Sequence, residues 1–175
     1  MVPSATSTAQ AAGRRKLGSL RTTPETGARR MGVSSLSGTL YLDSNIIIYL
    51  VEQEPRYYPI LSALLTKANA GEVQLICSEL AILECLVVPL RNQNLDLIQD
   101  YQDILLYSDI RLFPVNVEVL YEAARLRALH PRLRIPDAIH WATATLQQAR
   151  YILTNDADFL RFLGTFGLGI EQLQP

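Results

Sequence analysis

From Thr39 onward the chain alternates short apolar runs with stretches whose apolar residues recur every three or four positions, a pattern that predicts strands followed by helices. "TLYLD" reads as a strand, and "NIIIYLVEQ" as a helix opened by Ser44 or Asn45 as N-cap. "PILSALLTKANAG" is a second helix that Pro59 starts and Gly71 ends. "EVQLICS" predicts a second strand, followed at once by "SELAILECLVVPL", a helix with Ser78 at its N-cap and Pro89 near its end. In "NLDLIQDYQDILLYS" the apolar positions Leu95, Ile98, Tyr101, Ile104 and Leu105 suit one face of an amphipathic helix. "IRLFPV" is a third strand, and "VEVLYEAARLRAL" and "PDAIHWATATLQQA" are helices led by Asn116 and Pro136. "RYILTND" makes a fourth strand, "DFLRFL" a short turn of helix and "LGIEQL" a last strand. Strands separated by helices call for a parallel sheet covered on both faces, joined by right-handed crossovers, so the expected fold class is α/β.

Before Thr39 the pattern is missing. Residues 1–37 are rich in Ser, Thr, Ala, Gly and Arg and almost free of large apolar side chains, so they cannot bury enough surface to offset their chain entropy. The expected organisation is a disordered basic extension over 1–37 and one folded domain over 38–175, the size of a single core. The extension invites three further readings: an organelle transit peptide, a basic arm that touches RNA phosphates, or a start misplaced upstream of Met31. It lacks the apolar stretch of a secretory signal.

Composition narrows the function classes. The net charge is −1, but residues 1–30 hold six Lys/Arg against the single acid Glu25, which leaves ten against sixteen in residues 31–175. The folded part is acidic, and its bulk charge does not advertise nucleic-acid binding. Cys77 and Cys85 are the only cysteines, too few for a disulfide framework or a cysteine zinc site, and read as reduced core residues of a cytoplasmic protein. No apolar run is long enough to span a membrane, so no membrane association is expected.

The candidate chemistry lies in carboxylates that interrupt apolar segments. Parallel sheets of this kind place their sites beyond the carboxyl ends of the strands. Asp43 and Asp156 close the first and fourth strands, and Asp158 follows two residues later. Glu84 interrupts "LAILECLVV", and Asp137 opens "PDAIHWATA". Singly, most have ordinary explanations: Asp137 favours the helix dipole, Asp156 and Asp158 cap "DFLRFL", and Asp43 binds the first amides of the helix after it. Glu84 is the exception, because a carboxylate within an apolar helix face needs a partner. Taken together, four like charges repel unless a cation holds them. A hard divalent ion, Mg²⁺ or Mn²⁺, favours such oxygen ligands, and such ions promote phosphodiester cleavage.

The segments "LYLDSNIIIYL", "SELAILE", "IPDAIHWATA" and "ILTNDADF", in this order and spacing, resemble the PIN domain, and most closely the small VapC-type toxins of bacterial toxin–antitoxin pairs. The resemblance covers residues 39–175. It implies a Rossmann-like three-layer α/β/α sandwich and endoribonuclease activity on RNA such as tRNA, leaving a 5′-phosphate and a 3′-hydroxyl. It implies that Asp43, Glu84, Asp137 and Asp156 are the catalytic, metal-holding residues for Mg²⁺ or Mn²⁺. Ser44, Asn45, Thr154 and Asp158 would support them, Asn45 by fastening the turn and Asp158 as an accessory acid or cap. It further implies a small antitoxin as partner and a homodimer. Arg125, Arg127, Arg132 and Arg134, which gather before the Asp137 helix, are candidates for RNA phosphates, although a solvated helix face is the ordinary reading of each.

Two features depart from the family pattern: the long N-terminal extension, and His140 with Trp141 where small or aliphatic residues are usual. His140 reads as a packing or outer-shell residue. The competing function is a PIN-like module without catalysis that binds RNA or protein. A haloacid-dehalogenase-like phosphatase with Asp43 as nucleophile ranks last, because Asn45 stands where that family has a second aspartate.

Overall fold

The computed structural model describes residues 30–175. Its main sheet has five strands, all parallel, in the order β4-β3-β2-β5-β6. These are β2 (Gly38–Leu42), β3 (Val73–Ser78), β4 (Arg111–Phe113), β5 (Tyr151–Thr154) and β6 (Gly167–Gly169). A separate two-stranded parallel pair joins β1 (Met31–Gly32) to β7 (Leu173–Gln174). Among the described residues there are seven α-helices: α1 (Ser44–Val51), α2 (Tyr58–Asn69), α3 (Leu80–Arg91), α4 (Leu95–Tyr107), α5 (Val117–Leu129), α6 (Ile135–Leu146) and α7 (Ala157–Leu163).

The side-chain period of two along the strands divides the core between the faces. Leu40 and Leu42 of β2, Leu75 and Cys77 of β3 and Leu153 of β5 join a cluster with Ile46, Ile47, Leu61, Leu64, Ala81 and Tyr101 from α1 to α4. Tyr41, Ile76 and Ile152 point the other way, to Ala123, Ala138, Ala142 and Phe159 from α5, α6 and α7. Both faces are dry, which is why these strands read as continuous apolar runs. Each fully buried Leu or Ile contributes about 1.5–3 kcal/mol, so burial sets strand register firmly.

The chain leaves β2 towards β3 and β4 and later returns to β5 on the other side of β2. The topological switch point therefore lies between the carboxyl ends of β2 and β5, where a crevice opens.

Several expectations need correction. The folded unit begins before residue 38: Val33 and Leu36 are 3% and 2% exposed, and β1 pairs with β7. A two-residue strand has no periodicity to read, and its partner lies at the far end of the sequence. The expected extension over residues 1–29 lies outside the described residues. "LGIEQL" is not one strand, because a 3₁₀ turn over Ile170–Gln172 separates β6 from β7. The N-cap of α1 is Asp43 rather than Ser44 or Asn45, since β2 ends at Leu42. Helix α3 starts at Leu80, two residues after Ser78, whose hydroxyl still accepts from the Leu80 amide at 3.2 Å. Gly71 ends α2 as expected, at φ +74°, a conformation that glycine adopts without strain.

Candidate active site

At the end of β2 the chain turns directly into α1, and Asp43 sits in that turn. Its Oδ1 accepts from the Ser44 amide at 2.8 Å, the helix-capping contact. Its Oδ2 accepts from Asn45 Nδ2 at 2.6 Å and from the Thr154 hydroxyl at 2.6 Å. Asn45 also donates to Thr154 Oγ1 at 3.0 Å and accepts from the Asn155 amide at 3.1 Å. The capping role and a place in the crevice are therefore not alternatives for Asp43. Three donors fix a carboxylate that is only 8% exposed.

Glu84 reaches the same crevice from α3. Its Oε2 accepts from the Ser44 hydroxyl at 2.5 Å and lies 2.7 Å from His140 Nε2. On its other side His140 Nδ1 lies 2.6 Å from the hydroxyl of Tyr41, which is completely buried. A relay of Tyr41, His140 and Glu84 thus runs from the core beneath the sheet to the crevice. Burial alone would raise the Glu84 carboxyl, but the hydrogen bonds from His140 and Ser44, with the charge of Arg134, hold it below the usual glutamate range.

Asp137 and Asp156 face one another across Arg134. The guanidinium donates from Nε to Asp137 Oδ2 at 2.8 Å and from its terminal nitrogen to Asp137 Oδ1 at 3.1 Å and Asp156 Oδ2 at 2.5 Å. Burial raises the Asp137 carboxyl, and Arg134 offsets this only in part. For Asp156 the outcome is reversed: burial raises it, but the Phe159 amide and Arg134 bring it below the usual aspartate range. Asp156 Oδ1 also caps α7, accepting from the amides of Asp158 and Phe159. The Asp158 carboxylate turns outward to Arg161 at 2.6 Å.

Asp43, Glu84, Asp137 and Asp156, with Ser44 and Asn45, line one cavity of about 250 Å³. In donor chemistry these four carboxylates suit a hard divalent ion. As placed, no three of the described His, Cys, Asp or Glu side chains are grouped closely enough to hold one. The repulsion expected among four such acids calls for a cation to relieve it. In the structure Arg134 supplies a positive charge between two of them, and Ser44 and His140 serve a third. Within the crevice an internal guanidinium spans two of the carboxylates.

The model of the PIN domain matches residues 40–163. The chain belongs to the PIN domain family. PIN domains are generally dependent on divalent metals. Comparison with curated protein sequences gives no match. Among solved structures, this PIN domain is similar to VapBC2 from Rickettsia felis bound to a promoter DNA fragment. The TM-score is 0.61 at 17% identity, over 75% of this chain and 98% of that one. It is also similar to a DNA-bound VapBC from Salmonella typhimurium, with TM-score 0.58 and 14% identity over 75% and 98% of the two chains. A toxin–antitoxin complex from Klebsiella pneumoniae aligns with TM-score 0.51 and 21% identity over 78% and 96%. At these identities the likeness is one of fold.

Of the arginines before α6, Arg125 is paired with Glu122 and the Arg127 Nε donates to the Leu133 carbonyl. Only Arg132 and Arg134 turn toward the crevice region. The ion pair of Arg134 with Asp137 is neither the phosphate contact nor the solvated helix face expected of that arginine, although the i, i+3 spacing is one at which such pairs form. Tyr41 carried no signal, because an aromatic residue in a central strand reads as core. Among the described residues no helix is long and apolar enough to cross a membrane.

Proposed function

We propose that this PIN domain is a metal-dependent endoribonuclease that hydrolyses RNA phosphodiester bonds, and that it is the toxin of a toxin–antitoxin pair. The observation that carries the reading is the convergence of Asp43, Glu84, Asp137 and Asp156, from four separate elements, on one cavity at the switch point of the sheet. These four residues would hold Mg²⁺ or Mn²⁺. When bound, the ion polarises the phosphodiester and makes an attacking water more acidic. The chain's own residues prepare the site. Asn45 and Thr154 hold Asp43 in place before any ligand arrives, Ser44 and His140 orient Glu84, and Arg134 keeps Asp137 and Asp156 neutralised until it is displaced.

The VapBC and toxin–antitoxin complexes that share the fold support a small antitoxin as partner, with an extended or helical segment lying across the crevice. A homodimer and a cytoplasmic location follow by analogy with the family.

The test uses the full-length chain with tRNA and unstructured RNA. Cleavage is expected with Mg²⁺ or Mn²⁺, is abolished by EDTA, and is lost in Asp43→Asn and Asp137→Asn variants that keep the wild-type circular dichroism spectrum. Cleavage at the wild-type rate in EDTA would refute the metal mechanism. One observation favours a second reading: Arg134 is hydrogen-bonded to two of the acids, as it would be in a module that binds RNA or protein but cuts nothing. Under that reading no divalent ion elicits cleavage from a folded protein that still binds.

A further inference from the structure

Beside the carboxylate crevice lies a larger cavity of about 450 Å³, lined by Arg132, Arg134, Asp137, Asp158, Arg161 and Phe162. Its size falls within the roughly 300–1,000 Å³ of small-ligand sites. Arg134 and Asp137 form a shared wall, so an extended ligand can enter both cavities at once. Three guanidinium groups border it against two carboxylates, an inversion of charge in a domain that is acidic as a whole. Arg132 is exposed and makes no ion pair among the described residues. Among the described residues Arg161 is paired with Asp158 alone, both side chains being more than three-quarters exposed, a pairing that costs little to break.

We propose that this cavity is a phosphate subsite for single-stranded RNA, in which Arg132 and Arg161 grip the backbone next to the bond presented to Asp43, Glu84, Asp137 and Asp156. The proposal rests on the nuclease reading for its orientation. Guanidinium forks match phosphate oxygens bidentately, and a single strand brings its phosphates in at intervals of one nucleotide. Phe162 lies half-buried in the cavity wall, and an aromatic ring is the kind of surface on which a base stacks. An acidic peptide shares the charge but has no base to set against the aromatic wall. For the same reason RNA is favoured over an antitoxin segment as occupant.

The experiment measures binding of a short fluorescein-labelled single-stranded RNA to the full-length protein in EDTA, over a range of salt, for Arg132→Ala, Arg161→Ala and Arg150→Ala. Arg150 is the charge-matched control, since it bonds Ser37 and the Thr39 carbonyl at the opposite end of the sheet. Loss of one phosphate contact lowers the log–log salt slope by about 0.7 for a single strand. Arg132→Ala and Arg161→Ala are each expected to show that drop and to weaken binding about tenfold at low salt. Arg150→Ala is expected to match wild type. If all three variants behave alike, the subsite is refuted. It is also refuted if polyglutamate of matched length binds as tightly as RNA and with the same dependence on Arg132 and Arg161. If the two arginines govern RNA binding but the wild-type protein cuts no RNA with any divalent ion, the subsite stands and the nuclease reading falls.

Discussion

Arg134 gives the sharpest test of how the crevice works. Its guanidinium makes two hydrogen bonds to Asp137 and one to Asp156, and the first two are the only side-chain hydrogen bonds that Asp137 accepts among the described residues. Two opposing consequences follow from removing it in Arg134→Ala. The side chain is 61% exposed, so solvent screening limits the worth of the ion pairs to about 1 kcal/mol rather than the several that a buried pair would represent. Without metal the variant should therefore lose about 1 kcal/mol of stability, a fall of about 2–4 °C in Tm for a domain of this size. A divalent ion bound by Asp137 and Asp156 would have to displace the guanidinium from the same oxygens, and the population of the open site would set its apparent affinity. Removing a competitor worth about 1 kcal/mol should tighten Mn²⁺ binding about fivefold. Isothermal titration with Mn²⁺ in the absence of RNA measures the second effect, and melting with and without saturating Mn²⁺ measures both. The stability deficit should vanish or reverse when the ion is present. An Arg134→Ala protein that binds Mn²⁺ no better than wild type would refute the idea that arginine and metal compete for these acids.

Two further predictions concern the interior. His140→Ala should cost about 2–4 kcal/mol, because it leaves a cavity and strips the buried Tyr41 hydroxyl of its partner; Tyr41→Phe should cost less. If the two changes add independently to within about 0.5 kcal/mol in urea melts, the hydrogen bond is not what links them. Cys77 and Cys85 are 0% and 3% exposed, and burial pushes the Cys85 thiol up to about 12 and raises Cys77 strongly as well. Thiolate is the reactive form, so a maleimide at about pH 8.5, where free thiols are half ionised, should label neither in the native protein and both after unfolding. Native labelling at the rate of a free thiol would contradict that burial.

Much of the fold was legible along the chain. The alternation of apolar runs with helical periodicity located five strands and seven helices close to where they lie, because both faces of the sheet are buried and each strand must then be apolar throughout. The elements missed were those without a local pattern. β1 and β7 have two residues each and exist only as partners of one another. The four carboxylates stood out in the sequence because each breaks an apolar stretch, and the structure brings all four to one cavity. Their neighbours were less legible. Asp158, expected as an accessory acid or cap, does neither: its carboxylate points outward to Arg161, because Asp156 Oδ1 already accepts the first free amides of α7.

The sequence by itself determined that this chain is an α/β protein of the PIN family, with two acids at the ends of its strands and two more in its helices. Periodicity and composition are local, and a charge among apolar residues is conspicuous wherever it occurs. Only the tertiary structure decided how those acids are held. Whether a carboxylate is held by Arg134 or by a histidine anchored on Tyr41 depends on distances between residues as far apart in the chain as Tyr41 and His140. Those distances are fixed by packing around the sheet. The order of residues along the chain records which charges are present, and the fold determines which of them meet.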